Sequence, residues 1–429
     1  MSLDGSALTR DILSHLLIAR NVDEKRPSYP TVFCKIRSQA RLCLAASCGY
    51  GDPRLRASRR TSAMTRDIST PDVTVAEARP GLRYVVERLM DTYAPSSFDG
   101  MRVLIKPNMM GPFPGNSGVI THPALLRAVV RACLDRRAKV IAGDNPGDIV
   151  HNTRYVSRVA GFDRAAEGCF TSLSERVSQV PALSAYADTF LISRAILEAD
   201  YVINLPILKT HVLTLITGAV KNCFGYIAGQ QKALLHLKAP SRRRFSELLV
   251  DLYRVRPPDL VIMDATTVME GNGPTHGPVR PFGRILAGTN GPSVDATAAR
   301  LIGIDPHRVQ HLKIACECGL GKLDDLRVAG PLAPLPDVLL PSTFGPATEK
   351  TRQDIVRSSD SLIQRINHKP LAEPEKCTTC GDCQTSCPPQ AIRLVPYPVI
   401  GDNCTACYCC VELCPQGAMD VPELSTTPT

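Results

Sequence analysis

Two cysteine runs of identical spacing stand near the C-terminal end, CTTCGDCQTSCP from Cys377 to Pro388 and CTACYCCVELCP from Cys404 to Pro415. In a C-x2-C-x2-C-x3-C-P run, three closely spaced thiolates take three corners of a cubane 4Fe–4S cluster, while the fourth cysteine reaches a second cluster. Neither run can complete its own site. The two complete each other: Cys377, Cys380 and Cys383 with Cys414 make one ligand set, and Cys404, Cys407 and Cys410 with Cys387 the other. The repeat extends past the ligands, because Pro388 and Ala391 match Pro415 and Ala418. Cys409 aligns with Asp382 and so falls outside the ligand set. A zinc site would use paired C-x2-C units without the third cysteine and the proline. A disulfide framework does not suit a chain in which no export signal is visible. The expected cofactors are therefore two 4Fe–4S clusters.

The formal charge of +9 raises the question of a nucleic-acid partner. Residues 1–70 hold 12 Lys/Arg against 6 Asp/Glu, however, and the rest of the chain 38 against 35. A body so nearly balanced argues against a phosphate-binding face. No stretch approaches the roughly 20 apolar residues of a membrane span. The expectation is a cytoplasmic protein with neither nucleic acid nor membrane as a partner. Residues 1–70 are rich in Arg and Ser and show no sustained period, and the Arg59-Arg60 pair lacks the apolar block of a twin-arginine signal. They read as a disordered or wrongly assigned extension, with Met64 as an alternative start. Cys34, Cys43 and Cys48 then need no function.

From Pro71 onward short apolar runs alternate with amphipathic stretches. MRVLIKPN (101–108), AKVIAGDNPG (138–147), YVINLPILKTH (201–211) and DLVIMDATTVMEGNGP (259–274) read as strands entering loops, and HPALLRAVVRACLDRR (122–137) as a helix with Pro in its first turn. Strands alternating with helices predict an α/β fold, a mostly parallel sheet covered by helices on both faces. The expected division is an α/β domain over 71–345, a helical connector over 346–372, a small α+β ferredoxin-like domain over 373–421 and a tail over 422–429. Cys133, Cys169, Cys223, Cys316 and Cys318 sit in apolar helical contexts and read mostly as core thiols.

Ligands on open parallel sheets bind beyond the carboxyl ends of the strands. Polar residues collect there: Lys106 and Asn108, Asp144 and Asn145, Asn204, Lys209 and His211, then Asp264, Glu270 and Asn272. Each alone is as well explained as a turn former, cap or solvated charge; four successive strand ends carrying such groups point to one crevice. Lys209 and His211 are alternate residues of an extended segment and share a face, which makes them the candidate catalytic pair. The Lys supplies positive charge for a carboxylate, phosphate or oxyanion, and the His moves a proton near neutral pH. Their other reading is an anchored loop. The glycine-rich EGNGPTHGP (270–278) matches neither nucleotide-binding fingerprint. Gly271 and Gly273 suit tight turns, and His276 is an isolated potential metal ligand.

Residues 373–421 resemble a bacterial-type two-cluster ferredoxin. Residues 71–345 resemble the domain-of-unknown-function 362 family through KPN at 106–108, THP at 121–123, GDNPG, NLPILKTH, TGAVKNCFG, MEGNGPTHG and VDATAARLIGIDP at 294–306. The resemblance implies an iron–sulfur protein and supplies no settled substrate or reaction. Its motif positions mark Lys106, Asn108, Lys209, His211, Lys221 and Asn222 as pocket residues; with Asp144, Glu270 and Asn272 they form the expected substrate-binding set. Two functions follow. In one, an external donor of the ferredoxin or flavodoxin reductase type feeds the clusters, which reduce a small molecule in the α/β crevice. In the other, the ferredoxin part carries electrons and the α/β part docks a partner enzyme. Covalent fusion favours the first, because it holds donor and acceptor at high effective concentration. A third reading has the clusters as structural supports.

Two four-iron clusters require close to eight iron and eight sulfide per chain, about the content expected of anaerobically purified protein by iron and sulfide assay. Cys409→Ser should leave that content unchanged, whereas Cys387→Ser should lower it. Stoichiometric zinc would overturn the assignment.

Overall fold

The computed structural model describes residues 69–79, 81–147, 152–229, 231–344 and 369–421. The expected N-terminal extension up to residue 68, the connector up to residue 368 and the tail lie outside the described residues. In chain order the strands of the larger body are β1 (Val73–Glu77), β2 (Arg102–Pro107), β3 (Lys139–Ala142), β4 (Val177–Pro181), β5 (Thr189–Ser193) and β6 (Tyr201–Leu205). They continue as β7 (Ile207–His211), β8 (Leu215–Ile216), β9 (Leu260–Met269), β10 (Val279–Gly288) and β11 (Val328–Ala329). Nine of them form one sheet, in the order β11-β1-β10-β9-β6-β2-β3 with β7 beside β9 and β8 beside β7; β4 and β5 pair apart. Strands β3, β2, β6 and β9 run parallel to their neighbours in that series, as β7 does to β9. The β9–β10 hairpin brings in antiparallel pairing, which β1 continues on its far side.

The alternation of side chains along each strand divides the apolar residues between two cores. Leu104, Val202, Val261, Met263 and Leu286 enter one; Val103, Ile105, Ile203, Ile262 and Ile285 enter the other. Helices Leu82–Tyr93 and Pro123–Asp135 cover the second face with Val86, Leu89, Leu126 and Val129. Helices Arg242–Val255 and Gly291–Leu301 cover the first. Their starts are written locally. Ser241 and Asn290 accept from the backbone N–H groups of Arg244 and Ser293, and His122 Nδ1 accepts from Ala124 N just ahead of Pro123. The fold is thus α/β, a mixed and mostly parallel sheet with helices on both faces.

The smaller body pairs β12 (Leu371–Ala372) with β15 (Met419–Asp420), and β13 (Ile392–Val395) with β14 (Tyr397–Ile400). Its internal repeat is visible in the backbone. Left-handed residues recur at matching places in the two cysteine runs, Thr379 with Ala406, Gly381 with Tyr408 and Gln390 with Gly417. Tyr408, Val411, Ala418 and Met419 join the same apolar cluster as Phe245 and Leu249 of the larger body. Polar bonds fix the seating. Asn272 Nδ2 donates to Asp420 Oδ1 at 3.1 Å and to Val421 O at 3.2 Å, while Asn272 Oδ1 accepts from Ser342 N at 2.8 Å. Thr275 Oγ1 donates to Val411 O at 3.2 Å.

Each of the Asn272 bonds contributes about 0.5–1.5 kcal/mol net. Asn272→Ala should therefore speed amide hydrogen exchange at Met419–Val421 and leave Leu260–Met269 protected, a contrast that exchange mass spectrometry resolves. Equal change in both segments would show general loosening of the fold.

Candidate functional site

Strand register assembles the first half of the site. Lys106 lies opposite Asn204 in the β2–β6 ladder, and Ile105 opposite Ala142 in the β2–β3 ladder, so the residues following Ala142 lie beside the end of β2. Lys106 is fully buried. Its Nζ lies 2.7 Å from Asp144 Oδ1 and donates to Pro107 O at 3.2 Å and Asn222 Oδ1 at 3.3 Å. Asp144 also accepts from the backbone N–H groups of Met109 and Asn145, each at 2.8 Å. Asn222 donates to Asn204 Oδ1 at 2.6 Å and accepts from Asn108 Nδ2 at 3.3 Å. Gly225 closes over the ion pair. A Cβ there would overlap Asp144 Oδ1 and lie 2.5 Å from Lys106 Nζ.

The sheet does not bring the whole expected set to one place. Lys209 Nζ is buried behind the strand ends and donates to Val119 O at 2.6 Å and Pro274 O at 2.9 Å, tying two loops together. Burial, followed by the charge of Lys221 and opposed by Glu412, pushes its pKa down to about 7. His211 Nδ1 accepts from Leu213 N at 3.0 Å, which leaves the ring proton on Nε2. That atom lies 2.9 Å from Glu412 Oε1 in the smaller body, without the alignment of a good hydrogen bond. Burial and then Lys221, against Glu412, push His211 down to about 4, so the imidazole is neutral near pH 7. Burial opposes ionisation of Glu412, but Lys221 and His211 together hold its pKa well below the ordinary range. Glu270 is paired with Arg280 at 3.1 Å and accepts from Leu339 N at 3.2 Å. Asn272 is the clamp described above. Lys209, His211, Glu270 and Asn272 thus stand away from the strand-end cluster.

Lys106, Asn108, Asp144, Lys221 and Asn222 line a cavity of about 90 Å³. Its opposite wall is Ser386, Cys409, Glu412 and Leu413 of the smaller body. Lys232 and His236 complete it from the helix Gln231–Lys238. Lys232 Nζ donates to the carbonyls of Asn145 and Pro146. Burial, opposed by Asp144, lowers its pKa to about 7. His236 stacks on Phe245 at 4.3 Å between ring centroids, and its Nδ1 finds no hydrogen-bond partner among the described residues. Burial pushes it down to about 4.

Lys232, His236 and Glu412 were not among the residues singled out from sequence, although signals for them existed. Lys232 and His236 are four apart and share one helix face. The module positions facing the cavity are those at which the second cysteine run departs from the first, with Cys409, Glu412 and Leu413 in place of Asp382, Thr385 and Ser386.

The cysteines fit iron–sulfur clusters. Cys377, Cys380, Cys383 and Cys414 line a common cavity. Burial and then the thiols of Cys407, Cys404, Cys387 and Cys383 push Cys410 well up. Backbone N–H groups of Thr379, Ala391, Ala406 and Ala418 donate to the sulfurs of Cys377, Cys387, Cys404 and Cys414 at 3.2–3.4 Å, the kind of bond that tunes cluster potential. Among the described residues, no three His, Cys, Asp or Glu converge tightly enough for a single metal ion. Exposure differs around the module: Cys380 is exposed, while Cys407 and Cys410 are buried.

An α/β sheet whose strand ends face a cysteine-rich module defines an iron–sulfur protein with a ferredoxin-like electron-transfer part. The family described as "Domain of unknown function (DUF362)" matches residues 103–300, and the 4Fe-4S dicluster domain matches 369–415. A thylakoid-associated protein of Synechocystis sp. is 30% identical over 263 residues, 57% of this chain and 79% of that protein. Ferredoxin-1 of Rhodobacter capsulatus is 38% identical over 53 residues, 12% of this chain and 69% of that protein. The lactate racemase apoprotein of Thermoanaerobacterium thermosaccharolyticum, a solved structure, is 13% identical with a TM-score of 0.29, over 47% of this chain and 51% of that one. The chain thus spans about half of that structure, a likeness too slight to bear on function. The chain belongs to the DUF362 family and carries a ferredoxin-like module bearing iron–sulfur clusters. No helix among the described residues is long and apolar enough to cross a membrane.

Removing one partner of a buried ion pair costs about 3–5 kcal/mol, more than replacing both. Lys106→Met should lower unfolding free energy in urea by that amount, and adding Asp144→Leu should restore part of it. Additive losses would show that the pair is not coupled.

Proposed function

We propose that the protein is an oxidoreductase passing single electrons through two 4Fe–4S clusters to a small molecule bound in the cavity between the strand ends and the module. Cys377, Cys380, Cys383 and Cys414 hold one cluster, and Cys387, Cys404, Cys407 and Cys410 the other. The observation carrying this reading is that one wall of the cavity is the helix Cys409–Leu413, which starts inside the second cysteine run. A ligand there sits against the residues that flank Cys410.

The rest is done by side chains. Lys221 meets the ligand's negative charge, and Asn108 and His236 offer hydrogen bonds. The Lys106–Asp144–Asn222 network keeps the floor rigid. Lys209 is assigned to positioning, since both of its bonds go to carbonyls of the loops around the site. His211 fixes Glu412 and holds a proton at Nε2 beside it. Phe224 and Leu413 contribute apolar surface to the cavity lining. An external one-electron donor, of the ferredoxin or flavodoxin reductase type, docks where Cys380 is exposed. It is oxidised twice for each ligand reduced, and the ligand takes up two electrons and two protons. This reading treats 71–345 and 373–421 as the two working domains and places them in the cytoplasm, where free thiols persist. None of the described cysteines is in a disulfide.

The test is reoxidation of anaerobic, dithionite-reduced protein by the small-molecule fraction of a cell extract, followed through the visible absorption of the clusters. Loss of a positioned charge or proton donor typically costs about 10²-fold or more. Lys221→Ala and His211→Ala should slow ligand-dependent reoxidation by at least about that factor while keeping wild-type iron content. Reoxidation at the wild-type rate in both variants would defeat the proposal and leave an electron carrier with a docking domain.

A further inference from the structure

The groups left free around the cavity define the chemistry of what fits it. Lys221 Nζ makes no hydrogen bond or ion pair with any described residue, although it lines the cavity. Across the cavity the Glu412 side chain is 11% exposed; its Oε1 lies 2.9 Å from His211 Nε2 and makes no well-aligned hydrogen bond with any described residue. Asn108 Oδ1 and His236 Nδ1 are likewise buried without partners among the described residues. The other charges are already balanced or engaged: Lys106 is paired with Asp144, and Lys232 is bound to two carbonyls. Among the described residues the site thus offers one free cation, facing a carboxylate and an amide oxygen that can each accept a further hydrogen bond. A buried polar atom left unpaired costs free energy, so the occupant that satisfies this set must supply both signs.

We infer that the cavity takes a small molecule with a single anionic group and a hydrogen-bond donor, an ammonium or hydroxyl group, on the carbon next to it. This rests on the reading of the cavity as a substrate site. The anion meets Lys221, and the donor meets Glu412 and Asn108. A dianion such as phosphate would set a second negative charge against Glu412 with no free cation to offset it. A simple carboxylate would leave Glu412 and Asn108 unpaired. The volume of about 90 Å³ admits a molecule of a few heavy atoms.

Binding of four probes to the anaerobic, cluster-loaded full chain tests the inference: acetate, glycolate, glycine and inorganic phosphate, ranked by saturation-transfer NMR. A hydrogen bond to a charged group is worth roughly tenfold in affinity. At least one of glycolate and glycine should bind about tenfold more tightly than acetate and phosphate. Glu412→Gln should erase that preference and leave acetate binding in place, and Lys221→Met should weaken all the carboxylates; iron content is checked in both. Acetate or phosphate binding as tightly as the two donor-bearing probes, or no binding by any of them, overturns the inference. The two readings fail separately. Donor-selective binding without ligand-dependent reoxidation sinks the reductase and spares this inference, while Lys221-dependent reoxidation without donor selectivity does the reverse.

Discussion

A lysine ammonium with no solvent exposure is tolerable only if charge and hydrogen bonds replace the water it lost, and Lys106 sets that demand for the whole site. Asp144 answers the charge, and Pro107 O and Asn222 Oδ1 take further protons. Asp144 in turn needs donors, which it finds in the backbone after β2 and β3. The loops leaving those strands are thereby fixed relative to each other. The short helix that carries Asn222 must come down onto the ion pair, and only a glycine at 225 lets the next turn pass over it. Charge compensation at one strand end therefore shapes the floor of the cavity.

The cysteine runs act as a second constraint of the same kind. Neither holds three neighbours and its own fourth ligand, so the module must bring both ends together, and its repeated left-handed turns do this at matching positions. The two halves face different surroundings. The first run keeps small polar residues and the exposed Cys380; the second carries Tyr408, Cys409, Glu412 and Leu413 and is buried against the sheet. The departure from internal symmetry is where the module stops being a free carrier surface and becomes a wall.

That asymmetry also explains what was legible in the sequence. Alternating apolar runs revealed the two-faced sheet, since burial on both faces leaves few polar positions inside a strand. Lys106, Asn108 and Asp144 were legible as neighbours because consecutive parallel strands end at one edge. Lys209 was not legible as a strut. Strand β7 starts one residue after β6, so it extends the sheet past the crevice, and the partners of Lys209 are carbonyls from loops far away in sequence. Glu270 and Asn272 lie on the turn between β9 and β10, where direction is set by the contacts of residues 336–342 and of the module. Glu412 takes its place only through the module's seating, which puts it across the cavity from Lys221. Local pattern carries strand ends; it does not carry which body packs over them.

The helix Ala219–Asn222, which presents Lys221, is too short to hold itself in water. Its first two N–H groups donate to the carboxylate of Asp295, at 2.6 Å to Ala219 and 3.0 Å to Val220. Asp295 is fully buried on the helix Gly291–Leu301, within the VDATAARLIGIDP stretch whose role the sequence left open. Burial raises its pKa to about 7, and the two backbone bonds pull the other way, so its charge is sustained only while that helix end is in place. Lys221 stands free in the cavity because the turn beneath it is pinned from behind, by a residue that never reaches the cavity. A cation placed by a buried carboxylate at its own helix start does not need a partner of its own to stay put, which is the condition for leaving it open to a ligand.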